Sequence, residues 1–253
     1  MPMSVLNITT DGTTRTIELY RPDKRNALND ELIAELKSAL RKVHDEAGLR
    51  AVVIRGAGKD FCSGADLAAI QKIAGATYEE NLEDAASLGE LFTLMRQVRV
   101  PIIASVQGRA LAGGCGLAFG CDLVIAAESA RFGFPEVKIG FVPAMVAAIV
   151  RRNLGEKKTF ELLTRGNEFG AAEAIRLGLI NAVVPDDQLM VRTSEFAAVY
   201  GNISGVAVSL TKSLLNSLDG LDFGAAVSKG AEVNATARMS EDCKMGIARF
   251  LEK

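Results

Sequence analysis

Apolar and polar positions along the 253-residue chain alternate between a two-residue and a three-to-four-residue spacing. Residues 5–8 and 14–19 alternate weakly around Asp11-Gly12, which predicts a β-hairpin. After a polar loop over 20–28, Asn29 or Asp30 can cap a helix to about Glu46, with Leu32, Leu36, Leu40 and Val43 along one face. Gly48 ends it, and 51–55 reads as a buried strand. A polar, helix-prone stretch follows over 67–99, loosest at 77–89, and Pro101 stops it. Strands are expected at 102–106, 122–127 and 131–133, with helices at 113–120 and 143–152 between and after them. Helices at 156–163 and 171–177, ended by Gly166 and Gly178, precede a last strand at 182–184. Beyond residue 186 the pattern is helical only: 187–200, 205–218, 223–238 and 241–251. The chain therefore divides into an α/β core, 1–185, and a helical region, 186–253. No strict sequence repeat is present, so a spiral core is an inference from element order alone.

Two glycine-rich loops stand out in this succession. Phe61-Cys62-Ser63-Gly64-Ala65-Asp66-Leu67 follows the strand at 51–54, and Gly108-Arg109-Ala110-Leu111-Ala112-Gly113-Gly114-Cys115-Gly116 follows the strand at 102–106. Each precedes a helical stretch. Small residues there let the backbone approach a ligand and leave N–H groups free at a helix start. Two such donors converging on one point could hold a developing oxyanion.

Composition narrows the possibilities. With 49% apolar and 24% charged residues and a net charge of −2, the chain has ordinary globular composition and no basic field for nucleic acid. Residues 1–5 show no signal-peptide pattern, and no apolar run approaches the roughly 18 residues of a membrane span. Cys62, Cys115, Cys121 and Cys243 are scattered, without a C-x-x-C pair, and read as small buried packers. They fit a reducing, cytoplasmic setting without a structural metal. His44 is the only histidine and reads as a surface or half-buried residue. Gly56-Ala57-Gly58-Lys59 lacks the spacing and hydroxyl of a phosphate loop and reads as a turn. One acid remains: Glu136, set among Phe132, Phe134 and Phe141, where desolvation would raise its pKa. The alternative is a surface carboxylate paired with Lys138 or Arg131.

In joint order and spacing these stretches resemble the enoyl-CoA hydratase/isomerase (crotonase) superfamily, from about Arg21 to Pro185. The resemblance rests on Arg21-Pro22…Asn26-Ala27-Leu28, the two glycine-rich loops, Cys121-Asp122, Arg131-Phe132-Gly133…Pro135-Glu136…Gly140…Pro143, and Ala171-Ala172-Glu173-Ala174…Gly178-Leu179-Ile180. It implies a crotonase-like spiral of ββα turns, a helical C-terminal region used in assembly and site closure, and a homotrimer or dimer of trimers. It also implies an acyl-CoA thioester substrate, no cofactor beyond the substrate's own coenzyme A, and no membrane or nucleic-acid partner. By motif position the oxyanion donors are Ala65 and Gly113, the latter also at a helix start. The substrate and coenzyme A contacts are Gly64, Asp66, Leu67, Gly114 and Pro135, with Ala27 along the pantetheine. Lys24 or Arg25 falls near the phosphates, and Phe250 and Lys253 close the site from the same or a neighbouring subunit.

The resemblance also exposes a departure. Hydratases of this family use two glutamates; here Glu136 holds one position and Gly116 the other, and the further acid slot found in some relatives is Ala144. A single carboxylate suffices to move a proton from carbon 2 to carbon 4 of a 3-enoyl thioester. Hydration is helped by two acids gripping one water. The expectation is therefore Δ3-to-Δ2-enoyl-CoA isomerisation by Glu136. The alternatives are a slow or branched-chain-selective hydratase, for which the space at Gly116 could admit an acyl branch, and a non-catalytic acyl-CoA-binding protein. Acyl length would depend on 71–81 and 144–150, and Glu90 is the nearest candidate for a second acid.

Overall fold

The computed structural model describes residues 4–252. Strands β1 (Leu6–Asp11) and β2 (Thr14–Leu19) form the hairpin, Leu6 opposite Leu19, closing through Gly12 at φ +54°. Ile17 and Leu19 turn inward and are fully buried. Helix α1 (Asp30–Asp45) starts where the Asn29 side chain accepts the Leu32 N–H at 3.0 Å, and it buries Leu32, Leu36, Leu40 and Val43 completely.

From there the chain winds. Strand β3 (Ala51–Gly56) leads through a bridge at Cys62 to α2 (Leu67–Gly75) and α3 (Tyr78–Gln97). The next turn is β4 (Ile102–Val106), β5 (Arg109–Leu111) and α4 (Gly113–Phe119); the third is β6 (Leu123–Ala127), β7 (Arg131–Gly133), α5 (Ala144–Asn153) and α6 (Glu156–Arg165). Strand β8 (Glu168–Gly170), helix α7 (Ala171–Leu177) and strand β9 (Ala182–Val184) complete the winding. One sheet has the order β1-β2-β3-β4-β6-β9, parallel from β2 onward, and a second has β5-β7-β8. This is the crotonase-like spiral: the β4 and β6 turns each contribute a strand to each sheet and then a helix outside, while the β3 turn meets the second sheet only through the bridge at Cys62. β4 is buried along its whole length, because helices cover both faces.

The last four helices are α8 (Leu189–Val199), α9 (Gly205–Ser217), α10 (Phe223–Met239) and α11 (Glu241–Leu251). Helix α9 is tied to the core by Lys212, 8% exposed, which donates to Asp122 at 2.6 Å and to the Val100 carbonyl at 3.2 Å. Neither α10 nor α11 buries a residue in this chain.

Several readings change. Residues 77–89 are regular helix, begun by a capping box in which Thr77 and Glu80 exchange side-chain and backbone bonds. Strands β5, inside the stretch read as the second glycine-rich loop, and β8 were not anticipated: three residues with one large apolar side chain carry no period. Phe169 within β8 packs on Phe132, ring centroids 5.8 Å apart, beside an antiparallel pairing with β7. Cys62, Cys115 and Cys121 are buried as read from the sequence, but Cys243 is only partly buried, because α11 buries no residue in this chain. Among the described residues no helix is long and apolar enough to cross a membrane, and no group of acidic, histidine and cysteine side chains could hold a metal ion.

Candidate active site

Because β3 and β4 are neighbours, the two glycine-rich loops leave the large sheet side by side. Cys62 stitches them together: its N–H donates to Arg109 O and its carbonyl accepts the Leu111 N–H, both at 3.0 Å. Gly64, at φ +94°, then passes so near Ala112 that an added Cβ would stand 2.9 Å from the Ala112 Cβ. On the other side Leu28 donates to Gly64 O at 2.7 Å and accepts the Asp66 N–H at 2.9 Å. Ala65, between those two bonds, has its own N–H turned away from Leu28 and without an acceptor among the described residues.

Ala112 sits at φ 52°, ψ −122°, a conformation that costs a non-glycine residue about 1–3 kcal/mol. Its N–H is held by Gly133 O at 2.9 Å. The strained turn starts α4 so that the N–H of Gly113, first residue of the helix, also lacks an acceptor among the described residues. Ala65 and Gly113 open onto one cavity of about 440 Å³.

Glu136 completes that cavity. Its carboxylate is placed by a short 3-10 turn, Pro135–Ile139, with proline at the start and Gly140 at φ +75° at the end. Beneath it Phe132 and Phe134 are fully buried and pack on Phe169. Phe141 instead lines the cavity rim. The Oε2 atom of Glu136 is buried with no hydrogen-bond partner, so neither Lys138 nor Arg131 neutralises it. Burial raises its pKa above the ordinary carboxylate value, and a bond from its own backbone N–H only partly offsets that. An acid held this way is poised to take up and give back a proton.

The other expected contacts divide. Pro135 lines the cavity, and Gly64 and Gly114 shape the backbone beside it. Asp66 is committed locally: it caps α2 through the Ala68 N–H and pairs with Arg21 at 2.8 Å, and these bonds hold its pKa low. Leu67 opens α2. Ala27 is buried, its carbonyl bound by Arg21. Lys24 and Arg25 are exposed on the preceding turn, outside the cavity. Phe250 is 78% exposed on α11 and does not reach the cavity within this chain. Lys253 lies outside the described residues. Glu90 is on the surface, bound by Lys37 and Arg41, and is not a second acid.

The space expected at Gly116 is also absent. A Cβ there would stand 2.5 Å from Phe92 Cζ and 3.0 Å from Val146 Cγ2, so the glycine is packed under an aromatic ring. Sequence reading missed part of the cavity wall: Leu28, Ile33 and, from α2, Ile70. It also missed that the α3 face begun by Asn81 continues through Asp84, Ala85 and Leu88, whose i, i+3, i+4, i+7 spacing was the available signal. Residues 71–81 and 144–150 do contribute, through Ile73, Asn81, Ala144, Met145 and Val146.

The loop that seats Leu28 depends on Asn26, which is fully buried at φ 54°. Its amide donates to Ala57 O at 2.9 Å and Asp60 O at 2.8 Å, and its Oδ1 accepts the Arg21 N–H. Asn26→Ala leaves these groups unpaired and is expected to cost about 2–4 kcal/mol of stability, read from denaturant unfolding. A loss under half a kilocalorie would show that the loop is held otherwise.

The model of the enoyl-CoA hydratase/isomerase family matches residues 9–253. A Thermus thermophilus relative that carries an enoyl-CoA hydratase name is 39% identical over 242 residues, covering 96% of each chain. A crotonyl-CoA hydratase of Syntrophomonas wolfei is 34% identical over 99% of this chain and 97% of its own. The crystal structure of an enoyl-CoA hydratase from Mycobacterium smegmatis superposes with a TM-score of 0.94 at 29% identity, covering 98% of this chain and 96% of that one.

Proposed function

The chain belongs to the enoyl-CoA hydratase/isomerase family, and from that membership we propose that it converts 3-enoyl-CoA thioesters to their conjugated 2-enoyl isomers, with Glu136 as the proton shuttle. The carrying observation is the buried, unpartnered Oε2 of Glu136 in the cavity onto which Ala65 and Gly113 open. With the thioester oxygen against those two N–H groups, Glu136 removes a proton from carbon 2. Charge moves onto the oxygen, where preformed donors stabilise the transition state more than the ground state. The same carboxylic acid then protonates carbon 4, and the double bond lies between carbons 2 and 3. No cofactor is required beyond the substrate's coenzyme A, and the helices after residue 186 serve assembly, as trimers or pairs of trimers.

The hydratase reading has its own support in the names of the relatives, the Syntrophomonas wolfei crotonyl-CoA hydratase among them. Incubation with crotonyl-CoA separates the two. Isomerase chemistry leaves the absorbance of the conjugated thioester unchanged, while 3-hexenoyl-CoA produces that absorbance. Rapid loss of the crotonyl signal would assign hydration instead, and acyl-CoA binding without either change would leave a non-catalytic binder.

A further inference from the structure

Behind the first turn of α4, helix α3 passes from one cavity to another. Leu88 faces the acyl cavity, whereas Gly89, Phe92, Thr93 and Arg96 face an open groove of about 830 Å³ between α3, α5 and α9. Met145 lines both spaces. Phe92, 7% exposed, is the bulky group at the join. Its ring fills the position that a side chain at 116 would take, and Val146 of the acyl cavity converges on the same point. Beyond the ring the groove is open to solvent and carries Asp122, Asn153, Lys212 and Asn216 among the apolar side chains of its walls.

We propose that Phe92 decides between double-bond migration and hydration, by walling the acyl cavity off from this solvent-open groove. The inference rests on the acyl-CoA reading above. In migration a proton leaves carbon 2 for Glu136 and returns at carbon 4, so the composition of the substrate is unchanged. In hydration a water oxygen bonds carbon 3, one of its protons goes to Glu136, and the resulting acid protonates carbon 2. The only added reactant is water, and an apolar partition of Phe92, Met145 and Val146 opposes its entry from the groove. The glycine at 116 is what lets the ring seat so deeply.

The test is a graded series, Phe92→Leu, Phe92→Val and Phe92→Ala, each given 3-hexenoyl-CoA, with the products separated chromatographically, the 2-enoyl isomer identified by its conjugated-thioester absorbance and the 3-hydroxyacyl product by the added mass of water. Removing a buried ring destabilises the fold, and the leucine and valine variants keep the series readable if the alanine variant does not fold. The ratio of hydrated to isomerised product is expected to be small in the wild type. It should climb in the order leucine, valine, alanine, reaching at least about tenfold as Glu136 gains a water to activate. Folded variants that isomerise with no rise in hydrated product would overturn the proposal, as would a wild type that hydrates as fast as it isomerises. A wild type that converts neither the 3-enoyl nor the 2-enoyl thioester sinks the isomerase reading itself, a result distinct from a flat series.

Discussion

Replacing Glu136 by glutamine is expected to lower double-bond migration by roughly a hundred- to ten-thousand-fold while acyl-CoA still binds, since the amide keeps the shape but cannot shuttle a proton. Stability should move the other way. Burial raises the pKa of this carboxyl group, so between the ordinary carboxylate value and the raised one the folded protein holds a proton that the unfolded chain has released. Folding stability therefore falls as pH rises through that window and stays lower above it. Glutamine has no such dependence, so the variant should melt higher than the wild type near neutrality, with the gap closing toward acid. The wild-type kcat/KM should rise with pH over the same window, because the ionised form is the base. Full turnover in the variant, or a melting difference flat with pH, would remove Glu136 from the role given to it.

The second large effect comes from a residue with no functional group. A Cβ on Gly114 would run into the Cys62 carbonyl oxygen, which is backbone and cannot swing aside. Gly114→Ala must therefore push the start of α4 away from the loop that carries Ala65. Misplacing one of two converging donors by a fraction of an ångström to an ångström is expected to lower kcat by roughly a hundred- to a thousandfold, near the cost of losing the donor outright. The overpacking itself should cost about 1–3 kcal/mol. Circular dichroism and acyl-CoA affinity near wild type, together with the lost kcat, would mark the effect as one on the transition state. An unchanged kcat in a folded variant would show that the amides of Ala65 and Gly113 need not be held at this spacing.

The reading of the chain as a sequence succeeded where local physics is decisive. Leu32, Leu36, Leu40 and Val43 bury one face of α1 as their spacing demands, and Gly166 and Gly178 end their helices in the left-handed conformation expected of them. The order of strands and helices, the two glycine-rich turns and a carboxyl group surrounded by phenylalanines are likewise statements about neighbours in the chain. Position 136 could be singled out from its neighbours and positions 65 and 113 from the family resemblance of the two loops, and all three open onto one cavity. Weak local signals misled: the polar run at 77–89 lacks a strong apolar face yet is capped helix, and three-residue β8 forms because β7 lies ready to pair with it.

What lies across the cavity was beyond reach, because it depends on packing between elements far apart along the chain. Gly116 as a letter suggests empty room; in three dimensions the ring of Phe92, arriving from α3, occupies it. Glu90 and Asp84 look alike in the sequence, but the helical phase of α3 sends the first to Lys37 and Arg41 at the surface and the second to the cavity wall. Residue types and short-range spacing thus specify the winding and the place of the buried carboxyl group of Glu136. The shape of the space around that carboxyl group, and so which groups can enter it, is settled by side chains that meet only when the spiral closes.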